Sequence, residues 1–356
     1  MRIAFDVSPL SHQRAGIGNY MLSALRGLGE NDADVVAFAP VSAQGRRNVE
    51  EALDGIDVER RLRVVPLAHA WRTTWSKLGS PASERWLGAF DVLHYSDWMY
   101  PPQSAGVRAT TIHDLVPLRF PEWTHGRTVR MHRSKYEHPA RHAHVVICNS
   151  GFTALDVREL LHVPGERVRV AHPAAAPVFT RDGERADLGR PYALTVATLE
   201  PRKNLGALLD AHGLFGDDLA LAVVGAAGWG EQPRLDRPGV IRLGYVDDIE
   251  LARLYRGASL FVYPSRFEGF GIPVLEAMAS GVPVVASAHE SLDEACGDAA
   301  VRASPDSPEE IAASMREALE RRDDLVQRAN DHIARFTTRA MGEAMLAAYA
   351  EAAARL

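Results

Sequence analysis

YPSRFEGFGIPVLEAMASGVPVVAS, residues 263–287, is the stretch on which the fold turns. It opens at the end of an apolar run that begins at Leu260, passes through a loop carrying Gly269 and Gly271, and enters a segment read as a helix starting at Pro273. A short unbroken apolar run marks a parallel strand buried on both faces. The glycines let the following backbone approach a ligand closely, and proline suits the first helical turn, where its missing N–H is not needed. A helix N-terminus then faces the loop with unpaired donors and a partial positive charge, an arrangement suited to phosphate. Glu268 precedes the glycines and Glu276 is expected in the first helical turn, so both carboxylates address one crevice. A carboxylate in a first turn equally caps its own helix.

Outward from this stretch the same alternation repeats. On its N-terminal side lie PYALTVAT (191–198), a helix through Leu205 to His212, LALAVVG (219–225), the helix 249–258 and SLFVYPS (259–265); VPVVAS (282–287) follows. The first half carries RIAFDV (2–7), a helix around Tyr20 to Leu28, DVVAFA (34–39), LRVVPL (62–67), DVLHY (91–95), ATTIHD (109–114) and HVVICNS (144–150). Apolar strands spaced by helices predict parallel βαβ units, hence an α/β chain of two doubly wound, Rossmann-like domains facing across a cleft. The segment 172–190, rich in Pro, Ala, Gly and charge, reads as the linker. The expected division is 1–172, 173–335 and an Ala-rich helix over 336–356, with Met341, Met345, Leu346 and Tyr349 as its apolar stripe.

Ligands on such sheets sit at the carboxyl ends of the strands, which singles out four places. The loop after the first strand contains Gly16 and Gly18, but Met21 stands where a dinucleotide fingerprint would place its third glycine. His113 and Asp114 close ATTIHD; either can instead serve its own turn. In LEPRKN, Arg202 and Lys203 stand at the entrance to a helix, adjacent cations fit to clamp a diphosphate. In GYVDDIELARLY, Tyr245 and Val246 follow a strand end at Gly244, before a helix capped by Asp247 or Asp248.

The two glutamates of EGFGIPVLEAMASGVPVVAS, seven residues between them, closely resemble the retaining, nucleotide-sugar-dependent glycosyltransferases of family 4, which have the GT-B fold. The resemblance implies that Glu276 holds the ribose of the donor, and that Glu268 with the amides of Gly269, Phe270 and Gly271 contacts the sugar and diphosphate. It places Gly16 and Gly18 against the donor diphosphate and acceptor, His113 near the reacting carbon, and the nucleobase against the backbone of Tyr245 and Val246. The family usually has an arginine five residues before Lys203; Thr198 stands there, and Arg202 is read as supplying the missing guanidinium. The resemblance further implies that the last helix crosses back to the first domain. HDLVPLRFPE and EPRKNL resemble mannosyltransferase-like members, so mannose from GDP-mannose is the expected donor and a UDP-sugar, of the glucose or N-acetylglucosamine type, the alternative. No Cys/His cluster is spaced for a metal, and no cofactor or metal is expected: Arg202, Lys203 and the loop amides would stabilise the departing nucleoside diphosphate. The expected acceptor is a polysaccharide, glycolipid or small glycoside.

Composition bounds these readings. With 46% hydrophobic and 24% charged residues the chain is ordinary globular material, which excludes disorder as a description of the whole. The net charge of −6 divides into +3 for residues 1–172 (21 Lys and Arg against 18 Asp and Glu) and −9 for the remainder, so nucleic acid is a poor partner for the acidic half. Two cysteines without metal spacing, no leader-like stretch at Met1 and no run of apolar residues long enough to span a bilayer point to a cytoplasmic protein. Two segments stand out: 71–86, where Trp71, Trp75 and Trp86 alternate with Arg72, Lys77 and Arg85, and 125–144, with five histidines, Arg127, Arg130, Arg133, Lys135 and Arg141. They read either as a peripheral contact with an anionic membrane on its inner face or as solvated helix faces with half-buried tryptophans. Two other classes of function compete. A pyridoxal-dependent phosphorylase would need a Schiff-base lysine, and none of the three lysines, Lys77, Lys135 and Lys203, is convincing. A catalytically silent nucleotide-binding module would have no need of His113, Glu268, Glu276 and Lys203 together.

Overall fold

The computed structural model describes residues 1–356 apart from 13–15, 124–125, 217, 227 and 229–232, and apart from the side chains of 126–128, 130 and 131. His125, Arg127 and Arg130 of the basic segment therefore lie outside the described residues. The chain forms two compact units, Met1–Ala174 with Thr337–Leu356, and Ala175–Phe336.

The first unit is built on seven parallel strands: β1 Arg2–Asp6, β2 Asp34–Val41, β3 Glu59–Val64, β4 Val92–Tyr95, β5 Val107–Ile112, β6 Val145–Cys148 and β7 Val168–Val170. Their order is β3-β2-β1-β4-β5-β6-β7. The inner strands β4 and β6 are buried along their whole length and β1 and β5 almost so, as expected where helices cover both faces of a parallel sheet. The helix Gly16–Glu30 follows β1, so Gly16 and Gly18 open a helix instead of lying in a loop before it. Two glycines bring this helix against the last one, Thr338–Ala353: a Cβ on Gly27 would sit 2.0 Å from the Thr338 carbonyl oxygen, and one on Gly342 2.1 Å from that of Gly27. Met341, Met345 and Tyr349 of the last helix are buried, and the Tyr349 hydroxyl lies 2.7 Å from His94 Nδ1.

The second unit has six parallel strands: β8 Tyr192–Val196, β9 Ala220–Val224, β10 Val240–Gly244, β11 Leu260–Tyr263, β12 Val284–Ser287 and β13 Ala300–Ala303, in the order β10-β9-β8-β11-β12-β13. Both sheets are thus doubly wound, each reversing direction once, between β1 and β4 and between β8 and β11. A crevice opens at the carboxyl ends of the two strands flanking each reversal, because their crossover helices leave on opposite faces.

The tryptophan-bearing segment faces inward. Trp75 is buried and donates its indole N–H to the Pro81 carbonyl oxygen at 2.8 Å, while Trp71 and Trp86 pack around it on Phe38 and Leu93. Arg72 is buried as well, its guanidinium over the Trp98 ring. Trp75 and Arg72 thus belong to the core and Trp71 and Trp86 are half-buried, because the helix Ala68–Leu78 turns its ring-bearing face onto β2. Among the described residues no helix is long and apolar enough to cross a membrane.

Candidate functional site

The reversal of the second sheet brings together the loops after β8 and β11. They are laced to one another: the Arg266 amide donates to the Arg202 carbonyl at 2.8 Å, and the Asn204 side-chain amide to the Pro264 carbonyl at 3.2 Å. Asn204 holds the left-handed conformation (φ 55°) that ends the short turn Pro201–Lys203, a conformation asparagine adopts more readily than most residues. This lacing turns Arg202 and Lys203 toward Glu268. Arg202 Nη1 donates to Glu268 Oε2 at 2.8 Å, and Lys203 Nζ donates to Glu268 Oε1 at 2.6 Å and to the Tyr263 hydroxyl at 2.8 Å. A second carboxylate, Glu200, holds Arg202 Nη2 at 2.9 Å. Glu268 itself is fixed through its backbone, whose N–H donates to Ser291 Oγ at 3.0 Å.

The electrostatics follow from this packing. Glu268 is buried, and burial alone would push its carboxyl up; the charges of Arg202 and Lys203 outweigh that and hold it down at about 2. Glu268 is therefore an anion at any physiological pH. Burial and the neighbouring Arg202 lower the Lys203 ammonium from its usual value, against the opposing pull of Glu268.

Gly271 (φ 105°) starts the helix Ile272–Ala279, and a Cβ there would lie 2.6 Å from Leu292 Cδ2. The helix thus begins one residue before Pro273. Glu276 accordingly sits at its fifth residue, in the second turn; it is buried and accepts a hydrogen bond from the Tyr255 hydroxyl at 3.2 Å. Phe270 packs its ring against Phe336, which leaves its backbone as the part able to meet a ligand. Tyr245 and Val246 follow β10 on the same edge of the sheet, Tyr245 half exposed, and Asp247 caps the next helix by accepting from the Glu250 amide at 2.8 Å.

Of the residues singled out in the first unit, His113 lies just beyond β5, half-buried, with the Tyr20 ring edge-on at 4.9 Å. It lines a small cavity at the reversal of the first sheet with Asp6, Tyr20, His94, Ser96 and Asp97. Asp6 ends β1; its Oδ1 accepts from the Ser8 amide at 2.8 Å and its Oδ2 from the Ser96 amide at 3.2 Å and the Ser96 hydroxyl. Burial raises the Asp6 carboxyl, and burial lowers the His113 imidazole and takes that of His94 down to about 3. Gly18 is buried in the first turn of its helix and Gly16 is exposed one residue earlier than Ile17.

Two family models cover nearly the whole chain: Glycosyltransferase Family 4 over residues 14–176 and Glycosyl transferases group 1 over residues 179–334. The chain belongs to glycosyltransferase family 4. This family 4 enzyme, a hexosyltransferase of the GT-B fold, is 29% identical over 352 residues to the O-antigen chain mannosyltransferase B of Escherichia coli, the match taking in 90% of this chain and 91% of that one. It is 33% identical over 141 residues to the serotype-specific mannosyltransferase WbdA of the same species, a match to 36% of this chain and 17% of that longer protein. Among solved structures, Anabaena Alr3699/HepE in complex with UDP-glucose superposes with a TM-score of 0.72 at 18% identity, each chain covered in full. The glycosyltransferase has, at the reversal of its second sheet, residues supporting Glu268, Glu276 and the two cations that sequence reading does not supply. Tyr263 is legible only as an apolar strand residue, Glu200 only as part of LEPRKN, and Tyr255 and Ser291 not at all. Among the described residues no three His, Cys, Asp or Glu side chains are grouped to hold a metal ion.

Proposed function

We propose that this enzyme transfers mannose from GDP-mannose, with retention of anomeric configuration, to a polysaccharide, glycolipid or small glycoside in the cytoplasm, on the inner face of the membrane where the acceptor is lipid-linked. The observation that carries the reading is the ionised Glu268 held between Arg202 and Lys203 beside the amide-bearing loop Gly269–Gly271, at the sheet reversal where α/β folds bind ligands. Positive charge and aimed N–H groups in a water-poor pocket stabilise the charge that develops on a departing diphosphate, which is where such groups contribute most to rate. The bond from the anomeric carbon to the diphosphate oxygen breaks, the bond to the acceptor oxygen forms on the same face, and the acceptor proton passes to the leaving phosphate. In this scheme Glu276 holds the ribose, the backbone at Tyr245 and Val246 the base, and His113, whose imidazole desolvation pushes toward the neutral form, accepts or donates a hydrogen bond to the sugar. Gly16 and Gly18 lie against the diphosphate, and no metal takes part.

Similarity to two mannosyltransferases favours mannose. A UDP-sugar donor is the second reading, supported by the likeness in fold to HepE with its UDP-glucose. Release of GDP or UDP from the respective sugar donors, in the presence of a chelator, decides between them. Turnover with GDP-mannose alone supports the first reading, turnover with UDP-glucose alone the second, and loss of activity on chelation refutes the metal-free scheme. The one-bond carbon–proton coupling at the anomeric centre of the product tests retention, and a trapped glycosyl-enzyme adduct would refute front-face transfer.

A further inference from the structure

The guanidinium of Arg202 is already committed. It donates to the Phe267 carbonyl oxygen at 3.1 Å, to Glu268 Oε2 at 2.8 Å and to Glu200 Oε1 at 2.9 Å, with both glutamate side chains largely buried. Its planar fork is thereby oriented by a backbone carbonyl on one loop and by two carboxylates on either side. Two cations and two carboxylates make the cluster neutral. Swinging Arg202 toward a diphosphate would leave Glu200 and Glu268 facing an incoming dianion with a single lysine between them, and an unpaired buried carboxylate is costly. Lys203 is placed differently. Two of its three N–H donors go to Glu268 and the Tyr263 hydroxyl, and the third has no partner among the described residues.

We propose that Arg202, locked by Glu200, is a positioning residue that orients Glu268 and keeps it charged, leaving the donor diphosphate to Lys203 and the loop amides. This rests on the nucleotide-sugar reading above, and it reverses the role that the family resemblance suggests for Arg202. Glu200 becomes a functional residue on this account, acting through Arg202.

The test compares Arg202→Lys, Arg202→Met, Lys203→Met and Glu200→Gln in the full chain, with GDP and UDP as binding probes and sugar donor turnover as the rate. Lys203→Met should weaken nucleoside diphosphate binding tenfold or more. Arg202→Met should change that affinity less than threefold while lowering kcat at saturating donor about a hundredfold, and should move the acid limb of the kcat profile to higher pH, since Glu268 then has one counter-charge instead of two. Glu200→Gln should lower kcat about tenfold with affinity held within threefold, and Arg202→Lys should recover part of the loss. Equal loss of affinity in Arg202→Met and Lys203→Met, with kcat retained, would overturn the proposal, as would a Glu200→Gln enzyme that binds nucleotide tenfold more tightly at full kcat. A titration of the Glu268 carboxyl carbon by NMR, in wild type and Arg202→Met, asks the same question without nucleotide. A midpoint that rises in the variant supports the brace and an unchanged midpoint sinks it, whereas a wild type that binds neither GDP nor UDP counts against the nucleotide-sugar reading instead.

Discussion

The two sheets share one winding and treat the charges at their reversals in opposite ways. At the reversal of the second sheet Glu268 is buried but paired, and its carboxyl is held at about 2. At the reversal of the first, Asp6 is buried among neutral donors, Ser8 and Ser96, and its carboxyl is raised, while His94 and His113 are lowered. Burial disfavours charge in both places; only the second supplies counter-charges close enough to win. One edge of the protein is thus built around fixed ions, while at the other Asp6, His94 and His113 are pushed toward neutrality. Fixed ions suit a polyanion such as a diphosphate, and neutral donors and acceptors suit hydroxyl groups, so the contrast itself argues for a division of labour between the two edges.

The sharpest way to break this contrast is to neutralise each carboxylate in turn. Glu268→Gln leaves Arg202 and Lys203 buried without their shared anion, which costs about 3–5 kcal/mol when one partner of a buried pair is removed. Its turnover should fall by about 10²–10³, the loss typical of one preorganised electrostatic contact. Asp6→Asn keeps one acceptor oxygen for its serine donors. It should cost about 1–3 kcal/mol and leave GDP or UDP binding unaltered. Chemical denaturation and donor turnover measure both, and an Asp6→Asn enzyme as impaired in nucleotide binding as Glu268→Gln would erase the distinction.

Acid separates the two edges next. Because the folded-state value of Glu268 is depressed, its stabilisation is complete above the unfolded value of about 4.3 and is lost as pH falls toward about 2. The loss amounts to at most about 3 kcal/mol by linkage. Asp6 has the opposite sign: raised in the folded state, its contribution is complete below the unfolded value and is lost as pH rises through the folded one. The protection factors of amides in β11 and β12, which allow for the slowing of intrinsic exchange by acid, should therefore fall on acidification before those of β1 and β4 do. In Glu268→Gln the order should disappear.

Nucleotide binding sharpens the contrast on a smaller scale. Lys203→Met and Glu276→Ala should each weaken GDP or UDP binding ten- to a hundredfold, about 1.4–2.8 kcal/mol, seen as loss of the nucleotide-induced rise in Tm. The variant Tyr255→Phe, which removes the hydroxyl that donates to Glu276, should lose less than Glu276→Ala does.

The legibility of the chain follows the same physics of burial. Strands in the middle of both sheets announce themselves as apolar runs because both faces are covered: β4, β6, β9, β11 and β12 are buried at every residue. The four edge strands do not. β3 exposes Glu59, Arg60, Arg63 and Val64 and lies three residues earlier than LRVVPL suggests, β10 is marked only by its end at Gly244, and the short β7 and β13 pass unread with arginines at Arg169 and Arg302. Site chemistry divides likewise. Glu268, Arg202 and Lys203 are local to motifs and could be named in advance, and the structure brings them within hydrogen-bonding distance. Tyr263, Glu200 and Ser291 acquire their roles through contacts spanning 23 to 60 residues of sequence or through a turn, and no periodicity carries that. The helix register was the subtler loss: a start at Ile272 instead of Pro273 moves Glu276 from the first turn to the second.

The smallest effect tests whether the first edge also approaches phosphate through bare backbone, as the glycines suggest. Gly27 and Gly342 need no ligand to explain them, since a Cβ on either would strike the neighbouring helix. Gly16 is different: among the described residues nothing lies within 4 Å of where its Cβ would stand, and its φ is not positive. Packing and backbone conformation therefore both permit alanine, which is the better helix former by up to about 1 kcal/mol in a helix interior and by less in a first turn. Gly16→Ala should accordingly raise Tm by about a degree. If the absent side chain makes room for the donor, the same variant loses turnover about tenfold while gaining stability, a pairing that a purely structural glycine cannot produce. Unchanged turnover in the more stable variant would remove Gly16 from the site and leave the phosphate to the ionic edge alone.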